Sequence, residues 1–311
     1  MNLTLKKLKD LFLLPSSSSI GLDIGSSYVK MIELQKKERR FYILNWGVSK
    51  VEGDVSQAVK DVMKGTRPHT KNFGVGVNIS LSGPNVVVRY IDLPKMTREE
   101  LTKSLEFEAE KYLPFKANEM FFDWQVLEQG REKMKVLLCA AKKDFAEEKI
   151  KIVEKAGLRV QLIDIDTLCL TNAFCFNNPS EEKTICLLNT GAKMTNLSIV
   201  RKGRSCLARD IEATTSTPER LVNEIGRCFD FYESQYGEGV EKIYLSGGAA
   251  GQFLEQGLNI EQGLNIEVDF WNPLGSIGSL PEGPVLGGTK SFKELEKRKI
   301  EFAIAVGLAL R

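Results

Sequence analysis

Two short segments of this 311-residue chain share one pattern although they lie 166 positions apart. In each, an apolar run is followed by a polar residue, Asp23 or Asn189, and two positions later by a glycine, Gly25 or Gly191. The pattern predicts a strand, a tight turn and a second strand, because a glycine lets backbone N–H groups converge without a Cβ in the way. Two such hairpins in one chain predict two related lobes that hold a phosphate group between them.

Composition narrows the class of protein. The chain is long enough for two domains with ample core, and its 42% hydrophobic and 27% charged residues are ordinary for a soluble protein. A formal net charge of +2 gives no electrostatic reason to expect a nucleic-acid partner. Six separate cysteines without a CxxC motif, and His69 as the one histidine, argue against a zinc site and a histidine-dependent catalytic triad. Unpaired thiols are typical of a reducing cytosol.

Residues 1–15 are the part of the sequence most similar to a membrane-contacting segment. Leucines alternate there with Lys6, Lys7 and Lys9, and a basic amphipathic segment of this kind contacts anionic lipid weakly, at about 1 kcal/mol per lysine. The alternatives are a frayed terminus and a terminus docked on the body of the protein. No stretch reaches the roughly 18 consecutive apolar residues of a membrane span, and the segment lacks the features of a signal peptide.

The order of predicted elements indicates an α/β protein with two lobes and an insertion. Three strands followed by a helix open the first lobe, and three strands in the same arrangement open the second. Between them, alternating strands and a helix that begins with a capping box at Thr97 and Glu100 form a separate α+β unit. The predicted parts are a tail and serine linker at 1–19, a first lobe at 20–74 and 158–178, an inserted α+β subdomain at 75–157, and a second lobe with a reduced small subdomain at 179–311.

The first hairpin carries residue types that suit a magnesium-bound phosphate. Asp23 ends the first predicted strand, where a carboxylate faces Mg²⁺ through water, because Mg²⁺ sheds its water reluctantly. Ser26 and Ser27 add hydroxyl and backbone donors, and Lys30 can reach a phosphate as a point charge. The alternative interpretation is a plain β-hairpin with a solvated lysine.

The second hairpin offers Gly191, Ala192 and Thr195 on the facing side, but Asn189 takes the position that corresponds to Asp23. An amide still accepts a hydrogen bond, yet it brings no negative charge and cannot act as a base. The sequence therefore predicts that Mg²⁺ is held less firmly and that water is poorly activated.

A third glycine turn follows a predicted buried strand at 243–245. Gly247, Gly248 and Ala249 lead from that strand into a helix. Glycines there let a flat ligand, such as an adenine ring or a ribose phosphate, approach the backbone and the helix N-terminus. The alternative is a strand-to-helix turn that needs a positive φ.

Together, the two hairpins and the Gly-Gly turn resemble the actin-like ATPase superfamily, in which two hairpins grip the phosphates and a Gly-Gly turn receives the adenosine. Within it, residues 20–311 resemble the PilM family of the type IV pilus. The resemblance rests on four parts of the sequence. They are 21–34 for the first phosphate motif, 113–115 with 122–127 for an inserted subdomain shared with the division protein FtsA, 244–248 for the adenosine turn, and 303–311 for the C-terminal helix.

The resemblance implies a two-lobed actin-like fold, which is a duplicated ribonuclease H-like arrangement with an inserted α+β subdomain. It implies ATP and Mg²⁺ as ligands of the three turns. It also implies a cytoplasmic scaffold at the inner membrane, in the pilus machine of twitching motility, that binds the cytoplasmic N-terminus of PilN and through it PilO. The peptide groove of relatives lies on the first lobe near 75–157, and addition of an extended peptide to a sheet edge is a suitable mode.

Two departures from the family pattern bear on the nucleotide. The family has aspartate at the position of Asn189, and the connection from Asp210 to Leu221 is several dozen residues shorter than in typical members. The missing part includes a helix whose glutamate and lysine contact the adenosine in the family. A cleft without that wall buries less ligand and excludes less water. We therefore expect weak or undetectable ATP binding, little or no hydrolysis and no catalytic residue.

Two alternatives remain open. One is an active ATPase or an ATP-dependent kinase, for which Asp164 and Asp166 are candidate bases by their position at a strand end. The other is an FtsA-like filament protein of cell division. Such proteins end in a linker and an amphipathic membrane helix, whereas this sequence ends at Arg311 within a predicted packed helix.

Overall fold

The structure is a computed structural model, and it describes residues 18–64, 75–212, 218–251, 263–279 and 292–311. The predictions made for residues 1–17, and for the centre of the short connection at 213–217, lie outside the described residues. Within the described ranges, no helix has the length and the apolarity that crossing a membrane requires.

Strands and helices are numbered here in chain order. The described strands are β1 (Ser18–Ile24), β2 (Tyr28–Lys37), β3 (Arg40–Lys50), β4 (Gly76–Leu81), β5 (Val86–Pro94), β6 (Met120–Gln129), β7 (Lys133–Lys142), β8 (Arg159–Ile165), β9 (Ile185–Thr190), β10 (Met194–Arg201), β11 (Arg204–Glu212), β12 (Lys242–Ser246), β13 (Glu267–Phe270) and β14 (Gly278–Ser279). The described α-helices are α1 (Val55–Lys64), α2 (Arg98–Tyr112), α3 (Lys143–Lys155), α4 (Asp166–Asn177), α5 (Pro218–Tyr236), α6 (Phe292–Arg298) and α7 (Ala303–Ala309). Short 3₁₀ segments lie at Ala117–Glu119 and Lys299–Phe302.

Two sheets repeat one strand order. Strands β3–β2–β1–β4–β8 form most of the first sheet, with β14 beside β3, and β11–β10–β9–β12–β13 form the second. In each run the first three strands pair antiparallel and the last three pair parallel. The repetition confirms the two related lobes that the paired hairpins predicted, because β1–β2 and β9–β10 occupy the same places in their sheets.

A third sheet, β5–β7–β6, packs with α2 in the inserted region. Thr97 caps α2, because its hydroxyl accepts from the Glu100 N–H at 3.3 Å while the Glu100 carboxylate accepts from the Thr97 N–H at 2.7 Å. This is the capping box that the sequence predicted. Leu101, Leu105 and Ala109 recur at helical spacing and are buried against the sheet.

Helices α4 and α7 pack side by side in a core that includes residues of both large sheets. They approach closely, because a Cβ on Gly307 of α7 would lie 2.0 Å from the Cys169 carbonyl oxygen of α4. On its other side α7 approaches β1, where a Cβ on Gly21 would lie 2.0 Å from the Ala305 carbonyl oxygen. Both α7 and β14 fall in the range that the sequence assigned to the second lobe, and the structure places them on the first sheet.

Candidate functional site

The two hairpin turns are closed by the same hydrogen bond. The Gly25 N–H donates to the Tyr28 carbonyl oxygen at 3.1 Å, and the Gly191 N–H donates to the Met194 carbonyl oxygen at 2.8 Å. A Cβ would lie 2.8 Å from that oxygen in the first turn and 3.0 Å in the second. A Cβ would therefore clash with the backbone in the first turn and would make an unusually tight contact in the second.

The residues at the base of each turn form a pair across the hairpin. In the first hairpin the Lys30 ammonium binds the Asp23 carboxylate at 3.0 Å, and both side chains are largely buried. In the second, the Asn189 amide donates to the Asn196 side-chain oxygen at 3.1 Å. The second pair stands 166 positions after the first and in the same register. An ion pair in one lobe is thus replaced by a neutral amide pair in the other.

The Asn189–Asn196 pair belongs to a longer series of hydrogen bonds, which we call the amide chain. The Ser246 hydroxyl donates to the Asn189 side-chain oxygen at 3.3 Å, and the Asn196 amide donates to the Asp210 carboxylate at 2.8 Å. The other carboxylate oxygen of Asp210 accepts from the Gly83 N–H at 2.6 Å. Burial raises the pKa of Asp210, and the Gly83 and Asn196 donors oppose that rise. The amide chain links the second sheet to the turn that leads into the inserted region.

The Gly-Gly turn packs directly against the second hairpin. Gly247 has a φ of 105°, and a Cβ there would lie 2.3 Å from the Thr190 carbonyl oxygen. Its N–H donates to the Ile300 carbonyl oxygen at 2.8 Å, and the Ala249 N–H donates to the Thr190 carbonyl oxygen at 3.0 Å. Gly247 is therefore required by the strand-to-helix turn itself, and two backbone donors of this turn are bound within the protein.

An ion pair joins the Gly-Gly turn to the first hairpin. The Arg298 guanidinium donates to both carboxylate oxygens of Glu301, at 2.9 and 2.8 Å, and lies 5.7 Å from the centre of the Tyr28 ring. The Glu301 carboxylate is 4.0 Å from the position that a Cβ on Gly248 would take. The first hairpin and the Gly-Gly turn thus border one space between the lobes, which we call the interlobe crevice.

Asp166, the first residue of α4, lies among carboxylates of both lobes. Burial raises its pKa to about 6, the carboxylates of Asp23 and Asp210 add to the rise, and the hydroxyls of Ser80 and Ser82 oppose it. Asp23 belongs to the first hairpin and Asp210 to the amide chain, so Asp166 is influenced by carboxylates of both lobes. Across the described ranges, no group of three or more histidine, cysteine, aspartate or glutamate side chains could hold a metal ion.

The other predicted site residues differ in exposure. Ser26 and Ala192 are exposed in their turns, and the Ser27 carbonyl oxygen accepts from the Val51 N–H at 2.8 Å. Thr195 is 1% exposed between its neighbouring strands. The structure therefore links the Gly-Gly turn to the second hairpin through Thr190 and to the first through Glu301 and Arg298, and it buries Thr195 in the second sheet.

Asp164 lies on a different surface from Asp166. The Arg311 guanidinium binds its carboxylate with an Nε–Oδ2 distance of 2.5 Å, and both residues line a groove of about 500 Å³. The groove runs between β6 and β8, each of which is the last strand of the described part of its sheet. Phe121 and Ile163 line it with partly exposed apolar side chains. We call this surface the edge groove.

Sequence reasoning missed Asn196, Arg298 and Glu301. The offset of 166 positions maps Lys30 onto Asn196, so the hairpin pattern already contained a signal for this partner. Arg298 and Glu301 belong to none of the motifs recognised in the sequence. They lie in the helical segment near its end, far along the chain from both hairpins.

Two sheets of one strand order around a shared crevice define the actin-like ATPase fold. The fold is similar to that of a PilM–PilN type IV pilus biogenesis complex, with 20% identity and a TM-score of 0.79 over 96% of this chain and 99% of that chain. A Bacteroides thetaiotaomicron protein of actin-like ATPase fold and unknown function is 9% identical over 85% of this chain and 93% of that one, with a TM-score of 0.50. The cytoplasmic domain of EpsL, an inner membrane component of the Vibrio cholerae type II secretion system, is 11% identical over 87% and 92%, with a TM-score of 0.50.

The sequence also matches the model of a protein family. The model of the family described as "Type IV pilus assembly protein PilM" matches residues 21–216, which is more than half of the chain. The chain therefore belongs to the PilM family of type IV pilus assembly proteins, as its motifs predicted.

Proposed function

We propose that this chain is a scaffold of the type IV pilus assembly platform on the cytoplasmic side of the inner membrane. In this proposal it binds the cytoplasmic N-terminal peptide of PilN in the edge groove, and PilN links it to PilO. Membership of the PilM family supports the assembly role, and the similar fold of the PilM–PilN complex supports the partner. The edge groove carries the proposal, because it offers a site for an extended peptide.

The edge groove offers the two kinds of contact that an extended peptide uses. The strands β6 and β8 end their described sheets, and an edge strand presents unpaired backbone N–H and C=O groups. A peptide added to such an edge gains backbone hydrogen bonds, while alternate side chains enter apolar pockets. Leu137, Leu162 and Leu168 line the groove together with Phe121 and Ile163. A short apolar peptide therefore suits this surface.

The charges of the edge groove restrict the peptide further. Asp123 and Asp164 contribute carboxylates, and the one guanidinium among the lining residues, that of Arg311, binds Asp164. A peptide with a basic side chain or a free ammonium group near Asp123 would complement this balance.

Titration with the PilN N-terminal peptide tests the proposal. Trp124 lines the edge groove, whereas Trp46 and Trp271 are buried, so bound peptide should change the tryptophan fluorescence through Trp124. Ile163→Ser should weaken peptide binding roughly tenfold, because it removes a partly exposed apolar contact of the groove.

Phe107→Ser is the matched control for this titration. Phe107 is 87% exposed on α2 and does not line the groove, so its loss should leave peptide affinity unchanged. Equal affinity in the two variants would place the peptide on another surface. Absence of binding to the unmodified chain would remove PilN as the partner.

We also propose that the interlobe crevice binds Mg-ATP weakly and does not turn it over. Asp23 keeps the position from which a carboxylate faces Mg²⁺ through water. Other groups that could bind the nucleotide already have partners within the protein. Lys30 binds Asp23, and both the nitrogen and the oxygen of the Asn189 amide are hydrogen bonded. Two backbone N–H groups of the Gly-Gly turn also donate to carbonyl oxygens of the protein. The residues present thus fit a magnesium nucleotide only in part.

A second candidate function, phosphoryl transfer from ATP, is favoured by Asp166. A carboxyl group with a pKa of about 6 is suited to accept a proton near neutral pH. Phosphate release from Mg-ATP separates the two proposals, and we expect none above background. Asp230→Asn, at an exposed position of α5, is the control. Steady phosphate release that is lost in Asp166→Asn and retained in this control would show that the chain is an enzyme.

A further inference from the structure

A second cavity, of about 240 Å³, lies where the inserted region meets the second lobe. We call it the basic pocket. The inserted region contributes Glu128 of β6 and Lys135 of β7, and the second lobe contributes the hairpin between β10 and β11 together with the end of α5. Its polar lining consists mainly of Glu128, Lys135, Arg201, Lys202, Arg204 and Tyr236.

Four cationic side chains line the basic pocket against a single carboxylate. Arg204 pairs with that carboxylate, Glu128, at 3.2 Å, but both side chains are more than half exposed, and such pairs contribute little. Arg201 binds Glu238, which does not line the pocket, through its Nε at 2.5 Å. The positive charges of the pocket are therefore only partly balanced within the described residues.

Lys135 is less exposed than Arg201 and Arg204. Its side chain is 27% exposed, and its Nζ lies 5.0 Å from the centre of the Tyr236 ring and 3.4 Å from the Tyr236 hydroxyl. The carboxylate beside it, that of Asp92, is 3.7 Å away and 61% exposed. The Lys135 ammonium is thus partly buried, and Asp92, its one carboxylate partner among the described residues, is mostly exposed to solvent, where an ion pair contributes little.

We propose that the basic pocket binds a phosphate group. A phosphate carries three acceptor oxygens and a charge of about −1.5 to −2, so it can accept from cations that converge from several directions. Arginine binds such a group through its planar fork and lysine as a point charge. A single carboxylate would satisfy fewer of the four cations.

The position of the pocket gives the phosphate a structural consequence. Lys135 belongs to the inserted region, and Arg201, Lys202 and Arg204 belong to the second lobe, so one bound phosphate would bridge the two. The edge groove and the interlobe crevice share none of these residues. The inference therefore stands apart from both PilN binding and ATP binding.

Inorganic phosphate is the probe that tests this site. Calorimetric titration at constant ionic strength, with chloride as the reference anion, should show saturable binding to the full chain, and phosphate should raise its melting temperature. Lys135→Met should lower the affinity at least tenfold. Lys111→Met removes the same charge from an exposed ion pair on α2 and should leave the affinity unchanged.

Arg204→Gln gives a second variant that does not disturb a buried residue, because Arg204 is 56% exposed. It should also weaken phosphate binding. The proposal fails if the unmodified chain shows no saturable binding at millimolar phosphate. It also fails if Lys135→Met and Arg204→Gln both bind as tightly as the Lys111→Met control.

Vesicles distinguish the two sources of a phosphate group. Co-sedimentation with phosphatidylglycerol vesicles, but not with phosphatidylcholine vesicles, that is lost in both pocket variants would assign a lipid headgroup. Phosphate binding without co-sedimentation would assign a soluble phosphate compound. Either result supports the same chemistry at the basic pocket.

Discussion

At the scale of single residues, Asn189 is explained by the residue opposite it. Lys30 stands opposite Asp23, and Asn196 stands opposite Asn189. The two amides donate in one direction, from Asn189 to Asn196 and from Asn196 to Asp210. A carboxylate at position 189 would meet the Asn196 side-chain oxygen as acceptor against acceptor, without a cation opposite it. The second hairpin thus lacks both members of the ion pair that the first hairpin has.

We expect Asn189→Asp to lower the free energy of unfolding by about 1–3 kcal/mol, because it leaves a part-buried charge without a partner. Adding Asn196→Lys should recover about 1 kcal/mol or more, since it rebuilds the ion pair of the first hairpin. Urea unfolding of the two single variants, the double variant and the unmodified chain measures this coupling.

Asn118→Asp is the control, because it adds the same charge at an exposed position. It should change the free energy of unfolding by less than about 0.5 kcal/mol. If the effects of Asn189→Asp and Asn196→Lys simply add, the two positions do not pair as described.

At the scale of elements, α7 depends on small residues for its place in the core. Every residue from Ala303 to Ala309 is buried, as expected for a helix that is apolar on all sides. The helix touches α4 on one side and β1 on another, and backbones approach there at distances that leave no room for a Cβ on Gly307 or Gly21. Sequence reasoning predicted close packing of this helix, and the structure identifies the two surfaces involved.

Gly307→Ala should therefore destabilise the protein by about 3 kcal/mol or more, the upper end of the range for overpacked sites. Its Cβ would lie 2.0 Å from a backbone oxygen that the core holds in place. Gly226→Ala in α5 is the matched control, because its Cβ would lie 3.4 Å from the Leu264 side chain. That change should be neutral or stabilising by up to about 1 kcal/mol, since alanine favours a helix over glycine.

Thermal and urea unfolding of these two variants provide the comparison. A Gly307→Ala chain as stable as the Gly226→Ala chain would mean that α7 can shift away from α4 at little cost, contrary to the packing described.

At the scale of the whole molecule, the second lobe contacts the start of the inserted region. The Gly83 N–H binds Asp210 at 2.6 Å, and the Tyr90 hydroxyl is 2.6 Å from the Ser205 hydroxyl. The basic pocket lies along the same boundary. These contacts therefore lie between the inserted region and the second lobe, at residues more than 100 positions apart in the sequence.

Asp166 makes the free energy of unfolding of the chain depend on pH. Its pKa is raised from 3.8 to about 6 in the folded chain, so the folded chain holds the proton more tightly than the unfolded chain does. Tighter proton binding by Asp166 stabilises the folded chain. This contribution is complete below about pH 4 and is lost as the pH rises through about 6. A shift of this size corresponds to at most about 3 kcal/mol.

Asp166→Asn should therefore raise the stability at pH 7–8 relative to the unmodified chain, and this gain should shrink as the pH falls toward about 4. Urea unfolding across this range measures the difference at each pH. Asp230→Asn, at an exposed site, should show no such trend. A difference between Asp166→Asn and the unmodified chain that does not vary with pH would contradict the placement of Asp166 among the carboxylates of both lobes.

Motifs of closely spaced residues were sufficient to predict the hairpins, the capping box and the Gly-Gly turn. Each of these depends on hydrogen bonds between residues a few positions apart. Asp164 and Asp166 could not be distinguished in the same way. The first lies on β8 and the second begins α4. This change of backbone geometry directs one carboxylate to the edge groove and the other to the interlobe crevice.

Local pattern in the amino-acid sequence thus accounts for the duplicated α/β organisation, the family and the three glycine turns. Tertiary packing was needed to show that Asn189 joins a chain of hydrogen bonds ending at Gly83, that α7 lies on the first sheet, and that four cations meet in the basic pocket. The physical reason is distance along the chain. Burial and charge act between groups that folding brings together, and the spacing of those groups in the sequence does not record which of them will meet.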